Sequence, residues 1–458
     1  MQLKLTHTAA GNTRLLLLFA GWGTGPSLYP PPGVEGYDMM VAWDYSDTSV
    51  DTSVMEHYAE IAVIGYSFGV PAASSFLNTF PQLPVTARVA VNGTCHPVDD
   101  ARGIPQAIFA GTLAGLTPRS LAKFYRRMAG SGKLYEEMLP SLPSDPDIGS
   151  LRAQLEAIGS RRSVTADWDM AIVADNDLII PAVNQLRAWR EAGVTVKATG
   201  GGHLPDFSRI FRTVLTDKAL VARRFSRAID SYDRAASIQR HIATRLVDLW
   251  NPSPEESPDL LEIGCGTGMS TRLYLDRLTP RSLRLWDLSP APSLPAGAEV
   301  TACDAEVAVT GLPRESLDVV FSSSTIQWFN STGMFLRRCA DILRPGGKMV
   351  FSTFGPETFR TLHSLTGITA AYPDTDALRR LVPPQMETLC LSDETVTLTF
   401  DSPADMMRHI RATGVNALAS TGTVAASRRI LNDYPRRPDG TVTLTYQPIY
   451  IILQKRKL

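Results

Sequence analysis

Continuous apolar runs recur along the first half of the chain, at residues 15–20, 39–43, 60–65, 87–91, 168–174 and 194–198. Runs without alternation predict strands buried on both faces. The helical stretches between them predict a parallel sheet covered on both sides. One interval breaks the rhythm. Residues 104–163 carry no strand signal, only helical pattern such as "SLAKFYRRM", which predicts a helical insertion over the sheet. The strand pattern stops around residues 213–222. "VARRFSRAIDSYDRAASIQRHIATRLVDLW" then repeats apolar residues at helical spacing, and "NPSPEESP" follows as a connector rich in proline and serine.

A second αβ series begins at Leu260. Its predicted strands are 260–263, 283–287, 299–302, 318–321 and 348–353, and two β-rich runs follow, "ETVTLTF" and "TVTLTYQPIYIILQ". Rhythm and composition place a boundary near Ala219, dividing residues 1–218 from 219–458. The two halves are not a sequence repeat. A length of 458 residues suits two or three domains. A formal net charge of −1 gives no global attraction to nucleic acid or to a membrane surface. The five cysteines include no C-x-x-C pair and have no histidine at zinc spacing, so a reducing cytoplasmic setting without a metal site is expected. The run at 15–20 is too short to span a bilayer.

Two apolar runs end in glycine-rich turns. "IAVIGYSFG" carries G-x-S-x-G at Gly65-Tyr66-Ser67-Phe68-Gly69, between a strand and the helical "VPAASSFL". That is the setting of a nucleophile elbow, where a serine stands at a crowded turn with its hydroxyl exposed. Serine needs a base, and the base needs an orienting acid. In the chain order serine, acid, histidine, the base is expected at His203 in "ATGGGHLPDF" and the acid at Asp177 in "MAIVADNDLIIP". Asp175 is the alternative, as a turn residue in solvent. Acyl transfer also needs backbone N–H groups aimed at the developing oxyanion. Phe68, after the serine, and Trp22, in "GWG", are the expected donors.

These residues resemble the alpha/beta-hydrolases that cleave pimeloyl-[acyl-carrier protein] methyl ester in biotin synthesis, the short BioG type more than the longer BioH type. The similar stretches are "GWG", "GYSFGV", "VNGTCHPVDDARGIPQAIFAGTL", "SLAKFYRRMAG" and "LIIPAVNQLRAW", spread over nearly all of residues 1–213. The histidine usual before the first glycine of lipase-like oxyanion loops is replaced by Ala20. The resemblance implies an alpha/beta-hydrolase with a helical lid, acting on a substrate borne by an acidic acyl-carrier protein. Arg119, Lys123, Arg126 and Arg127 share one face of the expected insertion helix. They would steer such a carrier, or form a solvated lid face. Phe124 and Met128 on that helix are expected to read acyl length.

"LLEIGCGTG" holds Glu262, Gly264, Gly266 and Gly268 as E-x-G-x-G-x-G. The spacing is tighter than the dinucleotide G-x-G-x-x-G and suits S-adenosylmethionine, which has no phosphate. The next strand ends at Asp287, placed for the ribose hydroxyls. The third ends in "ACDAE", where Asp304 and the Ala305 backbone would meet adenine. Leu288 and Ser322 complete the expected lining, and Tyr232 in the long amphipathic stretch would cap the cofactor. "SLDVVFSSSTIQWF", "LRPGGKMVFSTFGPETFR", "FSRAIDSYDRAASIQRHI" and "TGVN" resemble the malonyl-[acyl-carrier protein] O-methyltransferases of biotin synthesis (BioC type), over about 223–458. This implies a class I, Rossmann-like methyltransferase fold and a malonyl carrier substrate. An arginine is expected at the malonyl carboxylate, but no position singles it out. The rival readings are a general carboxylesterase or thioesterase, or an inert carrier-docking module, in front, and a small-molecule methyltransferase behind.

Overall fold

The computed structural model describes residues 1–47, 49–366, 372–413 and 424–457; side chains are left aside at 228, 230, 231, 366 and 424–428. Residues 414–416 of "TGVN" therefore lie outside the described residues. The chain divides into two compact units, Met1–Thr216 and Asp217–Leu458.

Seven strands form the sheet of the first unit: β1 (Gln2–His7), β2 (Arg14–Phe19), β3 (Tyr37–Trp43), β4 (Glu60–Tyr66), β5 (Val85–Val91), β6 (Met170–Ala174) and β7 (Thr195–Thr199), in spatial order β1-β3-β2-β4-β5-β6-β7. β2 and β4 are buried at every position because strands flank them and helices cover both faces. Side chains alternate across the sheet. Leu15, Leu17 and Phe19 join one core, while Leu16 and Leu18 join another on the opposite face. Full burial of each such leucine contributes about 1.5–3 kcal/mol. The neighbours from β3 to β7 run parallel, but β1 lies antiparallel to β3, with Gln2 opposite Trp43. The expectation of a wholly parallel sheet fails at this edge. β1 is largely exposed and alternates, so it carries no continuous apolar run.

Helix α1 (Gly69–Thr79) follows β4. Between β5 and β6 come α2 (Gln106–Ala114), α3 (Pro118–Ala129), α4 (Gly132–Met138) and α5 (Ile148–Ser160); after β6 come α6 (Ala182–Glu191) and α7 (Phe207–Val214). α3 shows why this interval is helical. Thr117 and Ser120 form a reciprocal cap, Pro118 opens the helix, and Gly130 ends it with a φ of +74°. Its apolar stripe, Leu121, Tyr125 and Met128, enters the core with Phe109 and Leu155.

In the second unit the amphipathic stretch breaks at Ala236 into α8 (Lys218–Ala235) and α9 (Ser237–Trp250). Then follow β8 (Asp259–Ile263), α10 (Met269–Leu275), β9 (Ser282–Asp287), β10 (Glu299–Ala302), α11 (Ala305–Ala308), β11 (Leu317–Ser322), α12 (Thr332–Ile342), β12 (Leu343–Phe354), β13 (Met386–Asp393), β14 (Val396–Phe400), β15 (Val442–Tyr446) and β16 (Pro448–Lys455). The main sheet has the order β10-β9-β8-β11-β12-β16-β13, with β16 antiparallel to both neighbours. "TVTLTYQPIYIILQ" is thus two strands in two sheets: β15 pairs only with β14 among the described residues, and β16 enters the main sheet. Among the described residues no helix is long and apolar enough to cross a membrane.

Candidate functional site

Where β4 turns into α1, Ser67 adopts a φ of +54°, a left-handed conformation costly for any residue but glycine. The flanking glycines follow from crowding. A Cβ at Gly69 would stand 2.1 Å from the Phe19 carbonyl oxygen, and one at Gly65 would stand 2.9 Å from Val70 Cα. The Ser67 amide donates to the Val91 carbonyl at 2.9 Å, which ties the turn to the end of β5.

His203, in the loop after β7, places Nε2 2.9 Å from Ser67 Oγ. Its Nδ1 lies 2.8 Å from Asp177 Oδ2, with both side chains sealed from water. The Asp177 carboxylate is held on every side. Oδ1 accepts the amides of Ile179 and Ile180 at 2.8 and 2.9 Å, and Oδ2 also accepts Gln185 Nε2 at 2.8 Å. Asp175 turns elsewhere and accepts the Gly201 amide at 3.1 Å. The Tyr66 ring stands 5.2 Å from the imidazole, and Asn92 Nδ2 donates to the His203 carbonyl. Tyr66 lies inside the quoted serine motif, but nothing in the local pattern singles out Asn92 or Gln185. They meet the site from separate elements.

Ser67 opens into a pocket lined by Trp22, Phe68, Ile108, Phe124, Arg127 and Ile179, among others. Trp22 meets the Phe124 ring edge-on at 5.0 Å and donates its indole N–H to the Leu151 carbonyl at 2.9 Å. Met128 is not in this wall. Its side chain is buried in the core, because it shares the apolar stripe of α3 with Leu121 and Tyr125, and only its carbonyl reaches the histidine loop, by accepting the Leu204 amide at 2.9 Å. Arg119, Lys123 and Arg126 are exposed on α3. Arg127 is exposed as well but reaches the pocket.

A second cleft opens at the carboxyl ends of β8, β9 and β10. Gly264, Gly266, Asp287, Leu288, Asp304, Ala305 and Tyr232 line it, with Phe225, Trp286 and Trp328. Gly266 has a φ of +50°, and open space lies where its Cβ would be, so the bare backbone faces the cleft. Its amide donates to Asp287 Oδ2 at 2.9 Å, while Asp287 Oδ1 accepts the Ser289 amide at 2.7 Å. Burial pushes the Asp287 carboxyl above its usual range. Three expected lining residues stand behind the wall. Glu262 is buried and accepts the hydroxyls of Thr271 and Tyr274 at 2.6 and 2.7 Å, which anchors α10 beneath the loop. Ser322 Oγ donates to the Ile263 carbonyl and so joins β11 to β8. Gly268 begins α10 with a φ of +76° and faces Leu294.

Asp304 lines the cleft, and its Oδ1 accepts Lys218 Nζ at 2.6 Å. Lys218 opens α8 and gives no signal in the sequence, since it reads as one more polar residue at a helix start. It is the only lysine or arginine of the described lining, and two carboxylates engage it. The cleft therefore joins aromatic walls, a bare glycine backbone and acids at two strand ends, with no cation left for a phosphate. That donor set fits a nucleoside bearing an amino-acid arm. Among the described residues no group of three or more histidine, cysteine or acidic side chains could hold a metal ion.

A family model described as pimeloyl-ACP methyl esterase BioG matches residues 3–213, and a methyltransferase domain model matches residues 261–351. A Bacteroides fragilis protein named malonyl-[acyl-carrier protein] O-methyltransferase is 33% identical, over 96% of this chain and 93% of its own. A Bacteroides thetaiotaomicron protein of the same name is 33% identical over 53% of this chain and 100% of its own. The crystal structure of BioG from Haemophilus influenzae is 32% identical, over 46% of this chain and 96% of its own, with a TM-score of 0.40.

Proposed function

Because the chain belongs to the malonyl-[acyl-carrier protein] O-methyltransferase family, uses S-adenosyl-L-methionine and carries a BioG region ahead of a Rossmann-like methyltransferase domain, we propose that it both makes and removes a methyl ester in biotin synthesis. The rear unit methylates the free carboxylate of malonyl-acyl-carrier protein. The front unit, as an alpha/beta-hydrolase with a helical lid, hydrolyses the methyl ester of pimeloyl-acyl-carrier protein. Both reactions are assigned to the cytoplasm, in keeping with five free cysteines among the described residues.

In the rear unit Asp287 would hold the ribose hydroxyls, Asp304 and Ala305 the base, and the Gly264–Gly266 backbone the amino-acid arm. When bound, the cofactor supplies a methyl group on a sulfonium. The malonyl carboxylate is already ionised at neutral pH, with an ordinary pKa of about 4, so no residue need act as base. The chain orients the two partners in line and keeps water out with Tyr232, Phe225 and Trp328.

In the front unit Ser67 Oγ attacks the ester carbonyl while His203 Nε2 takes its proton. Asp177 holds the imidazole in the right tautomer and stabilises its charge. The Trp22 and Phe68 amides receive the oxyanion. His203 returns the proton to the leaving methoxide, which departs as methanol. Water then cleaves the acyl-enzyme, with His203 again as base. The exposed Arg119, Lys123 and Arg126, with Arg127 at the pocket, meet the acidic carrier.

The observation that carries the hydrolytic reading is the continuous relay from Ser67 to His203 to Asp177, at 2.9 and 2.8 Å. The test is rescue of two biotin auxotrophs, one lacking the methyltransferase and one lacking the esterase. The wild-type chain is expected to rescue both, Ser67→Ala only the first and Asp287→Ala only the second. Rescue of the esterase-deficient strain by Ser67→Ala would end the hydrolytic reading.

A further inference from the structure

Helix α8 walls the methyl-donor cleft with Val221, Phe225, Ile229 and Tyr232. It is fastened at both ends. At its start Lys218 Nζ donates to Asp304 Oδ1 and to Glu306 Oε2, and stands 5.4 Å over the Phe329 ring. Glu306 is itself fixed by the amides of Asn330 and Ser331 at 2.8 and 2.9 Å. At the far end Asp233 accepts Thr267 Oγ1 at 2.6 Å and an Arg272 guanidinium N–H at 3.1 Å, both from the segment that follows β8. With 18 residues the helix is about 27 Å long, so the two fastenings stand well apart along the cleft.

The fastenings differ in kind. Lys218, Asp304 and Glu306 are 5%, 16% and 2% exposed, whereas Asp233 and Arg272 are 41% and 49% exposed. Parting a buried ion cluster strands charge away from water. Parting a half-solvated pair merely returns both ions to it. We infer that α8 is a hinged cover, pinned at Lys218 and released at Asp233, so that methyl donor and demethylated product pass beneath its Asp233 end. Lys218 and Asp233 are positioning residues for the cofactor, and this role rests on the methyl-donor assignment of the cleft.

The test follows S-adenosylhomocysteine binding to the full chain by stopped-flow tryptophan fluorescence, with Trp286 and Trp328 in the cleft as reporters. Asp233→Asn and Thr267→Val are each expected to raise the association and dissociation rates about threefold, with a smaller change in Kd. Lys218→Met is expected to weaken Kd roughly tenfold or more, and Lys218→Arg to retain most of the affinity. Hydrogen exchange should show ligand protection concentrated in the second half of α8. Unchanged rates in both Asp233→Asn and Thr267→Val, or protection concentrated around Lys218, would overturn the hinge. A wild-type chain unable to bind S-adenosylhomocysteine would overturn the cofactor assignment as well, and is told apart by the equilibrium titration.

Discussion

Asn92 Nδ2 lies 2.8 Å from the carbonyl oxygen of His203, 111 residues further along the chain. The same side chain accepts the Ala174 amide through Oδ1 at 2.8 Å. One amide group thus binds the end of β5 to the end of β6 and to the histidine loop. Small misplacements of a reacting group cost about 100-fold in rate. Asn92→Ala is therefore expected to lower kcat for ester hydrolysis by about 10–100-fold while malonyl methylation is unaffected. Assays of both reactions on one preparation check this; equal losses in both would point to a general folding defect.

Asp177 gives both carboxylate oxygens to fixed donors and keeps none in water. In Asp177→Asn the amide would favour the wrong imidazole tautomer, and a loss of about 10⁴ in kcat is expected. Labelling of Ser67 by a fluorophosphonate should slow in parallel. Undiminished labelling would separate Asp177 from the activation of the serine.

Phe124 braces Trp22 and walls the Ser67 pocket. Apolar contact of this kind lets a long methylene chain outbind a short one. On the proposed esterase reading this pocket favours pimeloyl over malonyl methyl ester, and Phe124→Ala is expected to narrow that preference by about tenfold. The comparison of kcat/KM for the two carrier-bound esters measures it. An unchanged ratio would move acyl-length selection to another wall.

Burial pushes the Glu262 carboxyl up to about 7, against the pull of the Thr271 and Tyr274 hydroxyls. The native state then holds a proton that the unfolded chain releases near 4.5, so this group's contribution to stability falls as pH rises from there through about 7. Both hydroxyls donate to Oε2, which an amide oxygen can replace. Glu262→Gln should therefore stabilise the rear unit more at about pH 8 than at about pH 5, by at most about 3 kcal/mol. Thermal unfolding at the two pH values reads the difference, and an equal shift at both would refute the buried-carboxyl account.

Much of the strand layout is legible in sequence because a strand covered on both faces must be apolar throughout, as β2 and β4 are. Crowding makes the turn at Gly65 and Gly69 legible too, since no side chain fits there. Edge strands leave a fainter trace: β1 and β13 are largely exposed and show no apolar run. Side-chain partners leave none. Gln185 meets Asp177 from the helix that follows it, and Lys218 meets Asp304 across 86 residues. Proximity in the folded chain selects these pairs, and local pattern cannot express it. Met128 shows a related effect: helical spacing sets it one turn from Phe124, but the stripe it shares with Leu121 and Tyr125 turns it inward.

β16 lies between β12 and β13 although it follows both in the chain. A newly synthesised chain thus holds two strands that cannot close on each other without shutting out a third. The rear sheet must keep a slot vacant until that late segment arrives. Long-range insertions of this kind are slow, so maturation of the methylating half should lag behind that of the half already emerged from the ribosome.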